Sequence, residues 1–358
     1  MILIHTNRRL KRGLLILGTL LVHCLQAQND FRLRFENAER PSRHNLKIAV
    51  SDSFGNEGYL PVSIFKGKVD GPVFTIISGV HGLEYAPIIA VQQIMQEVDL
   101  DLLYGTIIFI PIASRGSFYT RTPYKNGEDG VNLNGAFPGN KDGSITQKTA
   151  YLITKNIIPV SDVFLDIHGG DAPEDLLPFI CYYNNKNRPE QTQLAKELSD
   201  VSGFEYVVSY PYTITDEEPA KYVFKQAVQD GKTGLSIEAG KLGIVQEEAV
   251  ALIKKGVFNM LGKMKMYRKV SDSNHTITRL NDQVYIKSKT KGIFYSSLKA
   301  GDSVQKEQVV GYTTDEFGAV LEEYKASKTG LILYMLATPT INKGETLMCL
   351  SSFISTNE

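Results

Sequence analysis

The chain has only three cysteines in 358 residues, and no two of them form a C-x-x-C pair. A disulfide-stapled scaffold and a thioredoxin-like redox site are thereby excluded. No G-x-S-x-G elbow, H-E-x-x-H helix or G-x-G-x-x-G loop occurs either, which removes the serine-hydrolase, zincin and dinucleotide-binding classes. Basic and acidic residues balance at 39 each. No basic tract is present to hold nucleic acid, so no nucleic-acid partner is expected.

Long apolar runs are almost as scarce, and the one that matters is at the N-terminus. Arg8-Arg9 and Lys11-Arg12 precede an apolar run from Gly13 to Val22, followed by Leu25-Gln26-Ala27. This order is that of a secretory signal peptide, and the run is too short to span a bilayer. A lipoprotein reading of Cys24 is disfavoured by His23, which stands where lipidation wants a small side chain. Cleavage after Ala27 is the expectation, giving a secreted or periplasmic protein with no membrane span. Removal of residues 1–27 leaves 35 basic residues against 39 acidic. Cys181 and Cys349 then remain, each in an apolar strand pattern, and are expected to be buried packing residues.

What the chain does have is alternation. Residues 28–45 read as an irregular or extended lead-in, and strand patterns follow at Leu46–Val50 and Tyr59–Phe65. Val73–Gly79, Gly105–Ala113, Asp162–Ile167, Leu176–Tyr183, Val207–Tyr210 and Gly234–Glu238 also read as strands. Helical spacing appears at Ala86–Val98, Ile145–Ile158, Pro189–Val201 and Glu247–Met266. Apolar strands alternating with helices predict an α/β fold: a mixed, largely parallel sheet flanked by helices. Near Val270–Asn274 the pattern changes. Short strands between turn signals such as Lys299-Ala300-Gly301-Asp302 then predict a small C-terminal all-β domain that shapes the cleft or binds a partner.

Two of the six histidines stand where strands end. His81-Gly82-Leu83-Glu84 follows the first buried strand, and His168 closes the strand Val163–Ile167 within Asp166-Ile167-His168-Gly169. Two imidazoles and one carboxylate, with a fourth position left for water, are the ligand set of zinc hydrolases. Glu238 sits at a third strand end, where sites gather in parallel sheets. It is the candidate general base. Asp166, inside an apolar strand, suits a supporting carboxylate better than a ligand. His44 and His275 carry no such context, and Tyr210 and Tyr212 read as core or rim residues.

His81-Gly82-Leu83-Glu84, the segment from Asn132 to Gly139 (Asn-Leu-Asn-Gly-Ala-Phe-Pro-Gly), Asp166-Ile167-His168-Gly169 and Ile237-Glu238-Ala239-Gly240 together resemble the succinylglutamate desuccinylase/aspartoacylase family. That family is similar to the zinc carboxypeptidases in fold and site. The resemblance covers about Val73–Met266, and the C-terminal region resembles the lipoyl-like β-sandwich that often follows. It implies His81, Glu84 and His168 as ligands of one zinc ion per chain and Glu238 as the catalytic carboxylate. Arg121 is the candidate cation for the oxyanion, with Arg115 behind it. Asn134 would bind substrate, and Asn132 would orient a metal ligand. The implied organisation is a signal peptide at 1–27, a zinc-hydrolase α/β domain at 28–270 and a small β-sandwich domain at 271–358.

At one position the chain departs from the family: Gly135 stands where arginine usually follows the asparagine, and no arginine occurs between Arg188 and Arg268. Bidentate recognition of a carboxylate needs a guanidinium fork, so N-acetylaspartate and succinylglutamate are not the expected substrates. The leading expectation is a secreted zinc hydrolase that cleaves an amide of the N-acyl amino acid type, or an ester, in a small-molecule or peptide substrate. A carboxypeptidase-like peptidase is the alternative. A noncatalytic binding or scaffold protein is the second.

Overall fold

The computed structural model describes residues 31–268 and 276–354. The signal segment 1–27, the whole polar junction Val270–Asn274 and His275 lie outside the described residues. The described chain opens with a helix, α1, at 31–37, where the sequence predicts an irregular lead-in. Phe31 and Phe35, one helical turn apart, stack with centroids 5.9 Å apart, and Phe31 is buried. This apolar pair stabilises a turn that the polar neighbours hide.

From there the order is β1 (Ser42–Ser51), β2 (Glu57–Lys66), β3 (Val69–Ser78), α2 (Tyr85–Glu97), β4 (Tyr104–Ile110), α3 (Arg115–Thr120), α4 (Ile145–Leu152), β5 (Val163–His168), β6 (Glu174–Leu176) and β7 (Phe179–Asn184). Next come α5 (Pro189–Val201), β8 (Tyr206–Pro211), α6 (Val223–Gln229), β9 (Thr233–Glu238) and α7 (Glu247–Lys263). The C-terminal strands are β10 (Thr278–Lys287), β11 (Gly292–Tyr295), β12 (Ser303–Val304), β13 (Val309–Thr314), β14 (Val320–Lys325), β15 (Gly330–Leu336), β16 (Thr340–Ile341) and β17 (Thr346–Phe353).

The large sheet runs β1-β2-β4-β3-β5-β9-β7-β8-β10-β17-β15-β12, with β6 on β15. Its centre, β4-β3-β5-β9, is parallel. The fold is therefore mixed α/β with a largely parallel heart, as the alternation implied. Burial on both faces explains the continuous apolar runs. Ile76, Phe109 and Leu165 pack on one face with α2, α5 and α7, whereas their neighbours Ile77, Ile108 and Phe164 pack on the other with α4 and α6. Each such side chain, fully buried, contributes roughly 1.5–3 kcal/mol.

Two expected elements differ. The helix at Ile145–Ile158 is α-helical only to Leu152, passes through one π turn (Ile153–Ile157) and ends in a 3-10 turn (Ile158–Val160). Pro159 has no N–H to continue a helix. The strand at Leu176–Tyr183 is broken at Leu177-Pro178. Its first part, β6, pairs with β15, and its second, β7, pairs with β8 and β9. Proline cannot supply a ladder hydrogen bond, so the chain changes partner there.

A second, four-stranded sheet, β14-β13-β11-β16, lies in the C-terminal β region, whose other strands, β10, β17, β15 and β12, extend the large sheet. The region is tied to the main sheet through β10, which runs parallel to β8. Through β15, β6 and the Ala337 N–H to Pro173 carbonyl bond, it also clamps the loop that follows His168. Cys181 and Cys349 are free and buried. Among the described residues no helix is long and apolar enough to cross a membrane.

Candidate metal centre

β3 ends at Ser78 and α2 begins at Tyr85, so His81 and Glu84 ride on the short turn between them. That turn is pressed against α3: the Gly82 N–H donates to Ser117 Oγ at 3.0 Å. A Cβ at Gly82 would lie 2.3 Å from both Phe118 N and Ser117 C. The position therefore accepts only glycine. Gly82→Ala should lower stability by about 1–3 kcal/mol through overpacking and displace His81; thermal unfolding with and without zinc measures both effects.

Glu84 occupies the N-cap position of α2 but makes no capping bond with its side chain, because both oxygens are used elsewhere. His81 Nδ1 lies 2.6 Å from Oε1 and His168 Nδ1 lies 3.0 Å from Oε2. His168 is the last residue of β5 and pairs in register with Glu238 of β9. Gly169 keeps the two strand ends close, since a Cβ there would lie 2.5 Å from the Ala239 carbonyl oxygen. The structure thus brings together all three predicted ligands. Their donor atoms lie within 4.8 Å of one another, largely buried.

Burial alone would push the Glu84 carboxyl up, but the charges of His168 and His81 and their hydrogen bonds outweigh it and hold it at about 2. For His168, burial lowers the imidazole pKa, and the charges of Asp166 and Glu84 outweigh that and raise it well above its usual value. Asp166 is fully buried, and its Oδ2 lies 2.9 Å from His168 Nε2. The contact is close but out of line for a hydrogen bond, and both carboxylate oxygens of Asp166 lack a partner. This is the place of a supporting carboxylate behind a ligand.

Two Nδ1 atoms and one carboxylate facing one small volume match the nitrogen and oxygen donors that a zinc-like divalent ion takes. The orphaned His81 Nε2 and the unaligned His168–Asp166 contact mark a polar cluster short of compensating partners. The residues present therefore fit such an ion.

A cavity of about 550 Å³ opens over these atoms, lined also by Glu238, Asn134, Asp171 and Glu174. Burial first, then the charges of Glu84, Glu174 and Asp166, push the Glu238 carboxyl well above its usual range against the pull of His168. Burial and the Glu84 charge raise Asp171 to about 6; burial, Asp171 and Glu84 raise Glu174 to about 8. Asn134 Oδ1 is buried without a partner.

The remaining predicted residues are placed differently. Arg121 is exposed at the C-cap of α3, in a left-handed backbone conformation (φ 55°), and does not line the cavity. Arg115 is also absent from it; its guanidinium lies 3.8 Å from the Tyr59 ring centroid, in a separate cleft. Asn132 does not orient a metal ligand either. Its Oδ1 accepts the Asn134 N–H at 2.8 Å and so caps the turn that presents Asn134. Tyr210 lines the cavity, Tyr212 does not. The C-terminal β region contributes Gln283, Tyr285 and Tyr334 to the wall, so it shapes the cleft.

Strand ends of a mixed α/β sheet that gather two imidazoles and a carboxylate under an acid-lined cavity define an α/β enzyme with a candidate metal centre. Residues 70–264 match the succinylglutamate desuccinylase/aspartoacylase catalytic domain. The chain belongs to that family, one of deacylases and amidohydrolases. It is 28% identical over 318 residues to N-alpha-acetyl-L-2,4-diaminobutyric acid deacetylase of Halomonas elongata, spanning 86% of this chain and 91% of that protein.

Two solved structures share the fold. The succinylglutamate desuccinylase/aspartoacylase of Rhodobacter sphaeroides superposes with a TM-score of 0.78 at 19% identity, covering 88% of this chain and 97% of that one. The product-bound ectoine utilization protein EutE (DoeB) of Ruegeria pomeroyi gives 0.78 at 21% identity, covering 88% and 96%.

Proposed function

We propose that the protein is a secreted, zinc-dependent amidohydrolase that removes an acyl group from an N-acyl amine. The observation that carries this reading is the convergence of His81 Nδ1, Glu84 and His168 Nδ1 in one cavity with Glu238. Membership of a deacylase family supports amide cleavage, and the predicted signal segment at 1–27 is the basis for secretion.

His81, Glu84 and His168 would hold the ion, with Asp166 behind His168. When bound, a zinc-like cation supplies positive charge that acidifies water and polarises an acyl carbonyl. Glu238, its carboxyl raised by burial, takes a proton from the attacking water. The water oxygen bonds to the carbonyl carbon, the C–N bond breaks, and Glu238 returns the proton to the departing amine. The second water proton, left on the new carboxylic acid, passes to the released amine, so the products are a carboxylate and an ammonium. Asn134 Oδ1, buried and unpartnered, accepts the N–H of the scissile amide and orients it. Arg121 and Arg115 take no part.

The carboxypeptidase alternative is weakened because, among the described residues, no lysine or arginine lines the cavity to grip a terminal carboxylate. The test is release of carboxylate from a panel of N-acyl amines, before and after chelation and zinc restoration. Turnover that needs the ion supports the reading, whereas full turnover in the chelated protein contradicts it. A Cβ at Gly135 meets nothing within 4 Å, so a side chain can leave the backbone there without a clash. Gly135→Arg should raise activity on N-acyl amines bearing a carboxylate relative to their amidated forms; an unchanged ratio of the two rates would count against that view of the position.

A further inference from the structure

The cavity over the metal centre, about 550 Å³, is already large enough for a whole small ligand. A second cleft of about 750 Å³ adjoins it. Pro211, Thr213 and Asp282 line both, so the two spaces share one rim. The backbone of β10 makes this possible. Its register breaks between Asn281 and Val284, with Asp282 at φ 52°. Such a bulge re-aims side chains: Asn281 lines the second cleft, Gln283 the metal cavity, and Asp282 both.

Neutral polar side chains dominate the second cleft. Asn184 ends β7, Asn185 and Asn187 lie just beyond it, and Ser209 of β8 and Asn281 of β10 face the same space. Asn185 is 5% exposed, and its Oδ1 accepts the Asn187 N–H at 3.0 Å. Its Nδ2 donors are left for the cleft, since nothing among the described residues accepts from them. The side-chain amides of Asn184, Asn187 and Asn281 likewise have no partner among the described residues. Tyr212 joins them with its ring, its hydroxyl being buried. The charged residues of this wall are Lys186 and Asp282, and Asp282 Oδ2 already accepts from Lys328 Nζ at 3.2 Å.

Amide side chains pair with groups that both donate and accept, and an aromatic ring packs against a flat apolar face. A sugar unit offers both, a rim of hydroxyls and a face of C–H groups. Tyr222 and Tyr285, 42% and 47% exposed, carry the aromatic surface on into the metal cavity. A peptide fits less well. It binds by adding a strand to an open sheet edge, but β8 is paired with β10 at Ser209 and with β7 at Pro211.

We propose that the substrate is an N-acylated amino sugar within a neutral oligosaccharide, its acylated unit in the metal cavity and its adjoining units in the second cleft. This rests on the deacylase reading above and adds the body of the substrate to it. The bond changes are the same: water adds to the acyl carbon, the C–N bond breaks, the carboxylate leaves, and the sugar keeps the nitrogen as an ammonium.

The test compares acetate release by the zinc-loaded protein from N-acetylglucosamine and from tetra-N-acetylchitotetraose. The tetramer should be cleaved with at least about tenfold higher kcat/KM, because contacts remote from the scissile bond add to transition-state binding. Tyr212→Leu and Asn281→Ala should each reduce that advantage about tenfold and leave the rate on the monomer unchanged. Asn281→Ala, at a half-buried residue, keeps the test open if Tyr212→Leu does not fold. Binding of cellotetraose by calorimetry gives a readout independent of turnover, since that chain has no amide, and should weaken about tenfold in either variant.

Hydrolysis of small N-acyl amines without any gain from sugar chain length would overturn the proposal and leave the deacylase reading standing. Cellotetraose binding that depends on Tyr212 and Asn281, with no acetamide cleaved, would do the reverse. A gain with the length of N-acetylated peptides instead of sugars overturns the proposal, as does cellotetraose that is not bound or is bound equally by the parent and both variants.

Discussion

Replacing His168 by alanine should strip the protein of its metal and reduce amide hydrolysis to the uncatalysed background. Among the described residues His168 supplies one of three converging donors, and its ring also stands between the Glu84 and Asp166 carboxylates at 3.0 and 2.9 Å. Removal therefore leaves two buried acids facing one another, a loss on the order of 3–5 kcal/mol. For that reason His81→Ala is the companion variant. The His81 side chain is 16% exposed, pairs with a single carboxylate, Glu84, and meets the His168 ring edge-on at 5.1 Å, so the same loss of metal and turnover should come with a smaller fall in melting temperature. Metal content by elemental analysis and rate by amine release are read on both. Either variant retaining bound ion and full rate would show that the cluster is not the centre.

Glu238→Gln should separate binding from chemistry. Glutamine keeps the shape of the side chain and removes the charge that burial, and after it the Glu84, Glu174 and Asp166 charges, disfavour, so zinc should remain. The proton shuttle is lost, and kcat should fall by about 10²–10⁴-fold with KM changing far less. Equal kcat in the variant and the parent would remove Glu238 from the mechanism.

The two histidines of the candidate metal centre were legible in the sequence because each closes or closely follows an apolar run that reads as a buried strand. Strand ends of a parallel sheet point to one edge, so His81, His168 and Glu238 had to come close, and they do. Direction off the strands was not legible. Arg121 is near the site in sequence, yet a left-handed C-cap residue ends α3 there and the side chain is exposed, a local backbone choice that residue spacing does not encode.

Asp171 and Glu174 escaped notice for a related reason. Carboxylates in a polar loop usually mark a solvated surface. Here Asp171 is buried and Glu174 half-buried, and the β6–β15 contact that holds Glu174 is formed with residues more than 150 positions later. Leu177-Pro178 carried a signal for the break that makes β6, since proline argues against an uninterrupted strand.

The central claim is that His81, Glu84 and His168 hold one divalent ion that the enzyme needs. Elemental analysis of the full-length protein, purified without chelator and equilibrated with zinc, tests it most directly when run beside His81→Ala. One ion per wild-type chain, lost in the variant, is the predicted result. A wild-type protein that binds no ion, or a variant that binds as much as the parent, would contradict it.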